Sequence, residues 1–168
     1  MVADALRLLL FPAMMAFAAS SDLFTMTISN RVSLILAAGF LVLAPWSGLG
    51  AIDVFWHIGA GAAVLLVCFG FFSRGWIGGG DAKLAAATAL WFGFDHLMEY
   101  ALYASLLGGA LTLMLLQFRR LPLPQVLISQ PWIERLHQHD AGIPYGIALA
   151  AAALLVYPHT RWMTSLTF

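Results

Sequence analysis

The stretch that decides the fold is Gly75-Trp76-Ile77-Gly78-Gly79-Gly80-Asp81-Ala82-Lys83-Leu84, which lies between two long apolar runs. Three consecutive glycines leave the backbone without side chains and allow conformations that other residues avoid. A carboxylate at the edge of an apolar run is costly in a membrane, and it therefore marks a candidate functional site. A simpler interpretation is a turn in which Asp81 caps the helix that follows.

The composition indicates an integral membrane protein. The 168 residues are 62% hydrophobic and 10% charged, whereas a soluble domain is typically about 45–50% apolar and about 25% charged. The formal net charge is zero, so there is no general basic surface of the kind that binds nucleic acid. The single cysteine, Cys68, excludes an internal disulfide and a cysteine zinc site. We expect one polytopic domain over residues 1–168, embedded in the lipid bilayer and without a cofactor.

Six apolar segments approach the length of about 20 residues that a membrane-spanning helix needs. The alternating pattern of a membrane barrel is absent, so each segment is predicted to be a helix. The predicted segments are 5–21, 32–49, 54–72, 82–98, 100–118 and 142–158. The first has the length of a signal-peptide core, but Asp4 weakens the positive flank of such a peptide, and we interpret it as a mature helix. The predicted fold class is an all-α membrane protein with about six transmembrane helices.

The basic residues indicate the orientation in the membrane. Three alternate connections carry six of the eight basic residues, which are Arg31, Arg74, Lys83, Arg119, Arg120 and Arg135. Because cytoplasmic loops carry an excess of Lys and Arg, these connections are predicted to be cytoplasmic and both termini to lie outside. Asp22 and Asp81 then share the cytoplasmic side, whereas Asp53 and Asp95 lie on the opposite side.

Two carboxyl groups on one membrane face are the minimum for an aspartic protease. In such a pair one carboxylate activates a water molecule, and the other, protonated, polarises the scissile carbonyl. Asp22 is expected at the C-terminal end of one helix and Asp81 at the N-terminal end of another. Helix dipoles therefore predict Asp81 as the more readily ionised partner. Two unrelated helix caps remain the alternative explanation.

Three motifs resemble those of the type IV prepilin peptidases. Gly78-Gly79-Gly80-Asp81-Ala82-Lys83-Leu84 resembles their GxGD-x-K-L motif. Asp22-Leu23-Phe24-Thr25-Met26-Thr27-Ile28-Ser29-Asn30-Arg31 is similar to their first motif, in which an Asp at the end of the first helix precedes Ile-Pro-Asn. Ile143-Pro144-Tyr145-Gly146 resembles the Pro-Tyr-Gly start of their last helix. The three motifs follow the family's order and cover nearly the whole chain, whereas GxGD alone is shared with presenilin-type proteases.

The resemblance implies a GxGD-type aspartic endopeptidase of the bacterial inner membrane. It would cleave the short basic leader of prepilins or pseudopilins at the cytoplasmic face, just before the substrate's hydrophobic helix. Asp22 and Asp81 take the catalytic positions. The residues expected to contact substrate or support the site are Asn30, Gly78, Gly79, Gly80, Lys83, Pro144, Tyr145 and Gly146. Lys83 either tunes the carboxyl pair or extends to the membrane interface.

The chain departs from the family pattern in two ways. Ser29 stands where the family usually has proline, which predicts a less rigid turn before the second segment. Larger members carry an insertion with two CxxC pairs that is linked to N-methylation of the product. This chain has no such insertion, so methylation is not implied, and it resembles the small form found in tight-adherence (Flp) pilus systems.

Two other classes of function fit the aspartates. A non-enzymatic membrane subunit or transporter component would use them as helix caps or proton carriers, and a presenilin-like protease would act on another membrane protein. The longest connection, residues 119–140, is expected to lie along the membrane interface with Trp132 as an anchor. His137 and His139 in this connection are interpreted as solvated side chains, and no metal is predicted.

Overall fold

The computed structural model describes residues 2–164, and within that range the secondary structure is entirely helical. The α-helices are α1 (Val2–Thr25), α2 (Asn30–Leu43), α3 (Ala51–Ser73), α4 (Gly79–Phe92), α5 (Leu97–Phe118), α6 (Gln125–Ile128), α7 (Pro131–His137), α8 (Tyr145–Val156) and α9 (Arg161–Thr164). Short 3-10 turns, Ala44–Ser47 and Tyr157–His159, prolong α2 and α8. The predicted all-α class is confirmed.

Four helices of the described chain are long and apolar enough to cross a membrane: α1, α2 with its 3-10 extension, α3 and α5. The protein is therefore a multi-pass membrane protein. The other two predicted segments form shorter helices, since α4 has 14 residues and α8 has 12, against about 20 for a full span. The prediction of about six spans thus becomes four helices of spanning length and two short ones.

The two short helices occupy the interior of the bundle. Helix α4 packs against α2, α3 and α8, and α8 packs in turn against α1 and α5. Both helices are rich in buried alanine, with Ala86 and Ala89 on α4 and Ala150 and Ala153 on α8 among the buried residues. Small side chains let helix backbones approach closely in a membrane, where apolar burial alone does not drive association. The N-terminal ends of these inner helices carry two of the predicted motifs.

Helix α4 is shorter than its predicted segment, 82–98, because the backbone changes direction at Gly93. This glycine has a φ of 63° and a ψ of −171°, an extended conformation at positive φ that is essentially confined to glycine. The next helix begins only at Leu97. A glycine within an apolar run does not by itself identify such a turn, so the prediction extended the helix too far.

An aromatic cluster fixes the end of the bundle that lies away from the aspartates. The indole N–H of Trp91 donates to the carbonyl of Leu36 at 2.8 Å, and that of Trp162 donates to the carbonyl of Trp91 at 2.6 Å. Phe11 stacks on Tyr157 with ring centroids 4.5 Å apart. These contacts join α1, α2, α4 and the C-terminal turns. Because Asp81 precedes Trp91 by ten positions, about 15 Å along a helix, α4 connects this rigid end to the candidate site.

Candidate active site

Asp22 and Asp81 line one cavity of about 700 Å³. Asp22 lies in the last turn of α1 and Asp81 in the first turn of α4, so two helices of opposite direction bring their ends together. The negative charge of Asp22 disfavours ionisation of the Asp81 carboxyl. The loop before α4, helix α7 and the loop before α8 complete the walls. The structure thus brings together the two carboxyl groups that an aspartic protease requires.

Asp22 is buried and receives a hydrogen bond from the start of α8. Its side chain is 5% exposed, and its Oδ2 accepts the backbone N–H of Gly146 at 2.8 Å. The N–H groups in the first turn of a helix lack partners within the helix and favour a negative charge. The N-terminus of α8 therefore favours the carboxylate form of Asp22, whereas burial of the side chain has a larger effect and disfavours it. The dipoles of α1 and α4 include neither effect.

Position 146 has room for glycine alone. A Cβ built there would lie 2.6 Å from Cδ1 of Ile28 and 2.8 Å from Oδ2 of Asp22. Both distances are too short for carbon contacts, so a larger residue would displace the carboxyl or the loop that carries Ile28. Pro144 is buried and precedes the helix as its N-cap residue. The Pro-Tyr-Gly motif therefore sets the approach of α8 to Asp22.

Asp81 has a different environment. Among the described side chains, its Oδ1 is one of the few buried polar atoms that have no hydrogen-bond partner. Asp81 lies outside the four helices of spanning length. Burial and, to a smaller extent, the charge of Asp22 raise the pKa of Asp81 to about 7, while the backbone of Gly78 acts in the opposite direction. A carboxyl with this pKa is about half protonated at neutral pH, and in its protonated form it can donate a hydrogen bond.

The three glycines before Asp81 have separate roles. Gly78 lines the cavity and serves as the N-cap residue of α4. A Cβ on Gly79 would lie 3.3 Å from the ring of Phe72, and one on Gly80 would lie 3.1 Å from Cβ of Ile28. A Cβ on Gly78 would lie 2.9 Å from Oδ2 of Asp81, so this glycine leaves space beside the carboxyl, whereas Gly79 and Gly80 allow α4 to pack closely against its neighbours.

Lys83 and Asn30 lie together, but away from the carboxyl pair. Nζ of Lys83 donates to Oδ1 of Asn30 at 2.8 Å. Both side chains line a separate, apolar groove between α2, α3 and α4. Tyr145 does line the aspartate cavity, and its hydroxyl lies 3.0 Å from Oγ1 of Thr112 on α5.

Ser29 takes the backbone conformation that proline would impose. Its φ is −64° and its ψ is 137°, and proline fixes φ near −65°. Its hydroxyl oxygen also accepts the N–H of Arg31 at 3.3 Å, which caps α2. The departure from the family pattern thus leaves the turn before α2 with a side-chain cap in place of a fixed ring.

A family model of the type IV leader peptidases matches residues 9–113. This range covers more than half of the chain and contains both aspartates. The chain belongs to the type IV leader peptidase family. Comparison with curated proteins and with solved structures found no significant match. The predicted family is confirmed, and the Pro-Tyr-Gly motif lies beyond the matched range.

Two arginines of this leader peptidase family member were interpreted from the sequence only as orientation signals. Arg135 lines the aspartate cavity, and its Nη1 donates to the carbonyl of Phe24 at 2.9 Å. Trp132, the predicted interfacial anchor, packs edge-on against the ring of Phe24 with centroids 5.5 Å apart. Helix α7 is therefore docked on the end of α1, within one turn of Asp22.

Arg119 holds the rest of the long connection in place. It is 7% exposed, and its guanidinium donates to backbone carbonyls further along the chain. The acceptors are the carbonyls of Leu136 at 2.9 Å, His139 at 3.5 Å, Ala141 at 2.9 Å and Gly142 at 2.8 Å. A planar group with five donors suits such a set of acceptors. The end of an apolar helix often carries arginine, so nothing in the local sequence pointed to this role.

Within the described residues no group of three or more His, Cys, Asp and Glu side chains is placed to hold a metal ion. In the long connection, Nε2 of His137 lies 2.9 Å from the carbonyl of Leu121. The ring of His137 packs edge-on against Phe118.

Proposed function

We propose that this protein is an aspartic endopeptidase that removes the leader from prepilin-like substrates. The observation that carries the proposal is the shared cavity of Asp22 and Asp81, two carboxyls from distant parts of a chain whose family is that of leader peptidases. A pair of helix caps has no need to share a cavity or to be shielded from water. The buried, unpartnered Oδ1 of Asp81 also favours a group that awaits a substrate.

The two carboxyls have unequal roles in this proposal. Asp22, whose carboxylate accepts the N–H of Gly146, removes a proton from a water molecule as the water oxygen attacks the scissile carbonyl carbon. Asp81, protonated, donates to the carbonyl oxygen and stabilises the tetrahedral intermediate. The C–N bond then breaks as the leaving amine takes the proton from Asp22, and Asp81 recovers its own proton from the intermediate. This assignment reverses the one predicted from the dipoles of α1 and α4.

The proposed location is the cytoplasmic side of the bacterial inner membrane. The connections on the aspartate side carry Arg119 and Arg135, and cytoplasmic loops are enriched in such residues. Both termini then lie outside, and the apolar parts of α4 and α8 cross between the four longer helices, with Asp81 in the first turn of α4 at the cytoplasmic boundary. Short inner helices are compatible with a membrane because protein rather than lipid surrounds their polar ends.

The proposed substrates are prepilins of the tight-adherence (Flp) type or related pseudopilins. Their leaders are short and basic, and the cavity offers two carboxyl groups at the membrane boundary. No methyl transfer is proposed, because the chain has a single cysteine and lacks the insertion linked to that activity. The product is expected to carry an unmodified N-terminal amine.

The test is co-expression with candidate prepilins from the same genome, with leader removal followed by gel mobility and mass spectrometry. Asp22→Asn and Asp81→Asn are each expected to lower cleavage by about 10³-fold or more, since each removes a required proton acceptor or donor. Asp53→Asn and Asp95→Asn are the matched controls and should cleave normally, because both line a different cavity with Arg161.

Substantial leader removal by Asp22→Asn or Asp81→Asn, in a variant that reaches the membrane, would contradict the aspartic mechanism. The absence of cleavage by the wild-type chain with every prepilin of the genome would instead favour a non-enzymatic membrane subunit.

A further inference from the structure

The cavity that holds the aspartates adjoins a second one. This second cavity, of about 340 Å³, shares Ile77, Asp81 and Tyr145 with the first. Its remaining walls are nearly all apolar, with Cys68 on α3 and Ala104 on α5 among the lining residues. Asp81 therefore stands at the boundary between a polar space and an apolar one.

A third cavity continues the apolar space towards the far end of the bundle. It has a volume of about 410 Å³ and shares Val64, Leu97 and Ala101 with the second cavity. It also includes Phe94, which follows the C-terminal end of α4. The two apolar cavities together form a cleft that begins at Asp81 and follows the length of α4. We call this space the α3–α5 cleft.

The cleft exists because α3 and α5 pack on different inner helices. Over residues 2–164, α3 packs chiefly on α4 and α5 on α8, with few close contacts between α3 and α5 themselves. On α5 the wall carries Ala101, Ala104 and Ser105, which the helical repeat places on one face. Small residues of this kind let another helix approach closely in a membrane.

We propose that the α3–α5 cleft receives the hydrophobic helix that follows the scissile bond of the substrate, which enters sideways from the bilayer. This inference rests on the proposed peptidase function and assigns the place where the substrate binds. A helix satisfies its own backbone hydrogen bonds, so it can lie in an apolar cleft that an extended chain could not occupy. The peptide bond just before such a helix would emerge at Asp81, where the apolar space meets the polar cavity. The basic leader would then lie in the polar cavity with the two carboxyls.

The native cysteine supplies a direct test, because Cys68 lines the cleft and is the only cysteine of the chain. The Asp22→Asn variant retains uncleaved substrate without altering a residue of the cleft. It is co-expressed with prepilins that carry one cysteine at successive positions of the hydrophobic helix, and membranes are oxidised. Disulfides to Cys68 are expected at positions that recur every three to four residues, as one face of a helix requires.

The matched control moves the cysteine to the lipid-exposed side of α3. Leu66 is 72% exposed and lies outside the cleft, so the triple variant Asp22→Asn, Cys68→Ser, Leu66→Cys should give little disulfide with the same prepilins. Equal crosslinking from position 66 and position 68 would overturn the proposal, because it would indicate random collision in the bilayer.

A second measurement fills the cleft. Ala104→Phe places a ring within it, whereas Leu106→Phe changes a residue that is 61% exposed on the same helix. When substrate is limiting, Ala104→Phe is expected to cleave at least about tenfold more slowly than the wild type. The slower rate should come from a raised KM, with kcat largely retained. Leu106→Phe is expected to cleave like the wild type.

The outcomes separate the two proposals. If the wild type removes the leader but Cys68 forms no periodic disulfides and Ala104→Phe cleaves normally, the cleft is not the binding place and the peptidase function stands. That result would leave lipid chains or a second copy of the protein as its occupant. If the wild type removes no leader, the peptidase function itself is contradicted. Should Ala104→Phe fail to reach the membrane, the disulfide pattern alone decides.

Discussion

The backbone N–H of Gly146 donates a hydrogen bond to Oδ2 of Asp22 at 2.8 Å, across 124 positions of the chain. The bond links the start of α8 to the last turn of α1. Its donor is a main-chain N–H, a group that proline at position 146 would remove. The position of α8 along α1 and the state of this carboxyl are therefore coupled.

Gly146→Ala is predicted to impair cleavage strongly. The added Cβ would lie 2.8 Å from Oδ2 of Asp22, so either the carboxyl or α8 must move. Overpacking of this kind costs about 1–3 kcal/mol, and we expect a roughly 10- to 100-fold lower rate of leader removal. The matched control is Gly109→Ala on α5, where a Cβ has nothing within 4 Å. Equal cleavage by both variants would show that the close approach to Asp22 has no catalytic consequence.

The pKa of Asp81 predicts a descending limb in the pH profile of kcat/KM. Burial and the charge of Asp22 raise this pKa to about 7, and in the proposed mechanism Asp81 must be protonated. The active form is thus present below about pH 7 and is lost as the pH rises through that value. The measurement is cleavage of a prepilin in detergent between about pH 5 and 9. A rate that increases through neutral pH would assign the role of base to Asp81.

Replacing Lys83 is predicted to leave the descending limb of the pH profile at the same pH. Its Nζ donates a hydrogen bond to Oδ1 of Asn30 at 2.8 Å. The side chain lines a groove that does not contain the aspartates. Lys83→Gln should therefore give the same descending limb as the wild type, with a loss of stability of about 1 kcal/mol from the hydrogen bond. A limb shifted to higher pH in the variant would show that the ammonium does tune the pair.

Arg119→Lys is predicted to loosen the connection between α5 and α8. A lysine has no planar fork and cannot reach the same set of carbonyls. We expect about tenfold slower cleavage, since a truncated buried hydrogen-bond network leaves acceptors unsatisfied. Limited proteolysis within residues 120–142 should become faster in the same variant.

The control for Arg119 is Arg120→Lys, which alters an exposed neighbour. It should change neither the cleavage rate nor the proteolysis pattern. If Arg119→Lys also leaves both unchanged, the guanidinium contacts do not position the connection.

The sequence predicted the helical class and the family, because both depend on local patterns. The catalytic role of Asp22 and Asp81 stays a prediction. Apolar runs and short motifs such as the one around Asp81 can be read without knowing the fold. The end of α4 at Gly93 could not be predicted in this way, because a positive φ depends on how the chain must turn. The hydrogen-bond partners of Asp22 and Lys83 could not be predicted either, because each partner lies on a different helix from the residue that it contacts. The dipoles of α1 and α4 predicted that Asp81 ionises more readily than Asp22. The N-terminus of α8 opposes this preference through its bond to Asp22, and α8 lies far from both aspartates along the chain.

The contacts of Arg119 have a consequence for how the protein can diverge. All four acceptors are main-chain carbonyls, so the guanidinium is indifferent to the side chains of the residues that it holds. Substitutions along this part of the connection leave the acceptors intact as long as the path of the backbone is kept. Among relatives, we expect residues 138–142 to vary in identity while keeping their number, and the arginine to persist.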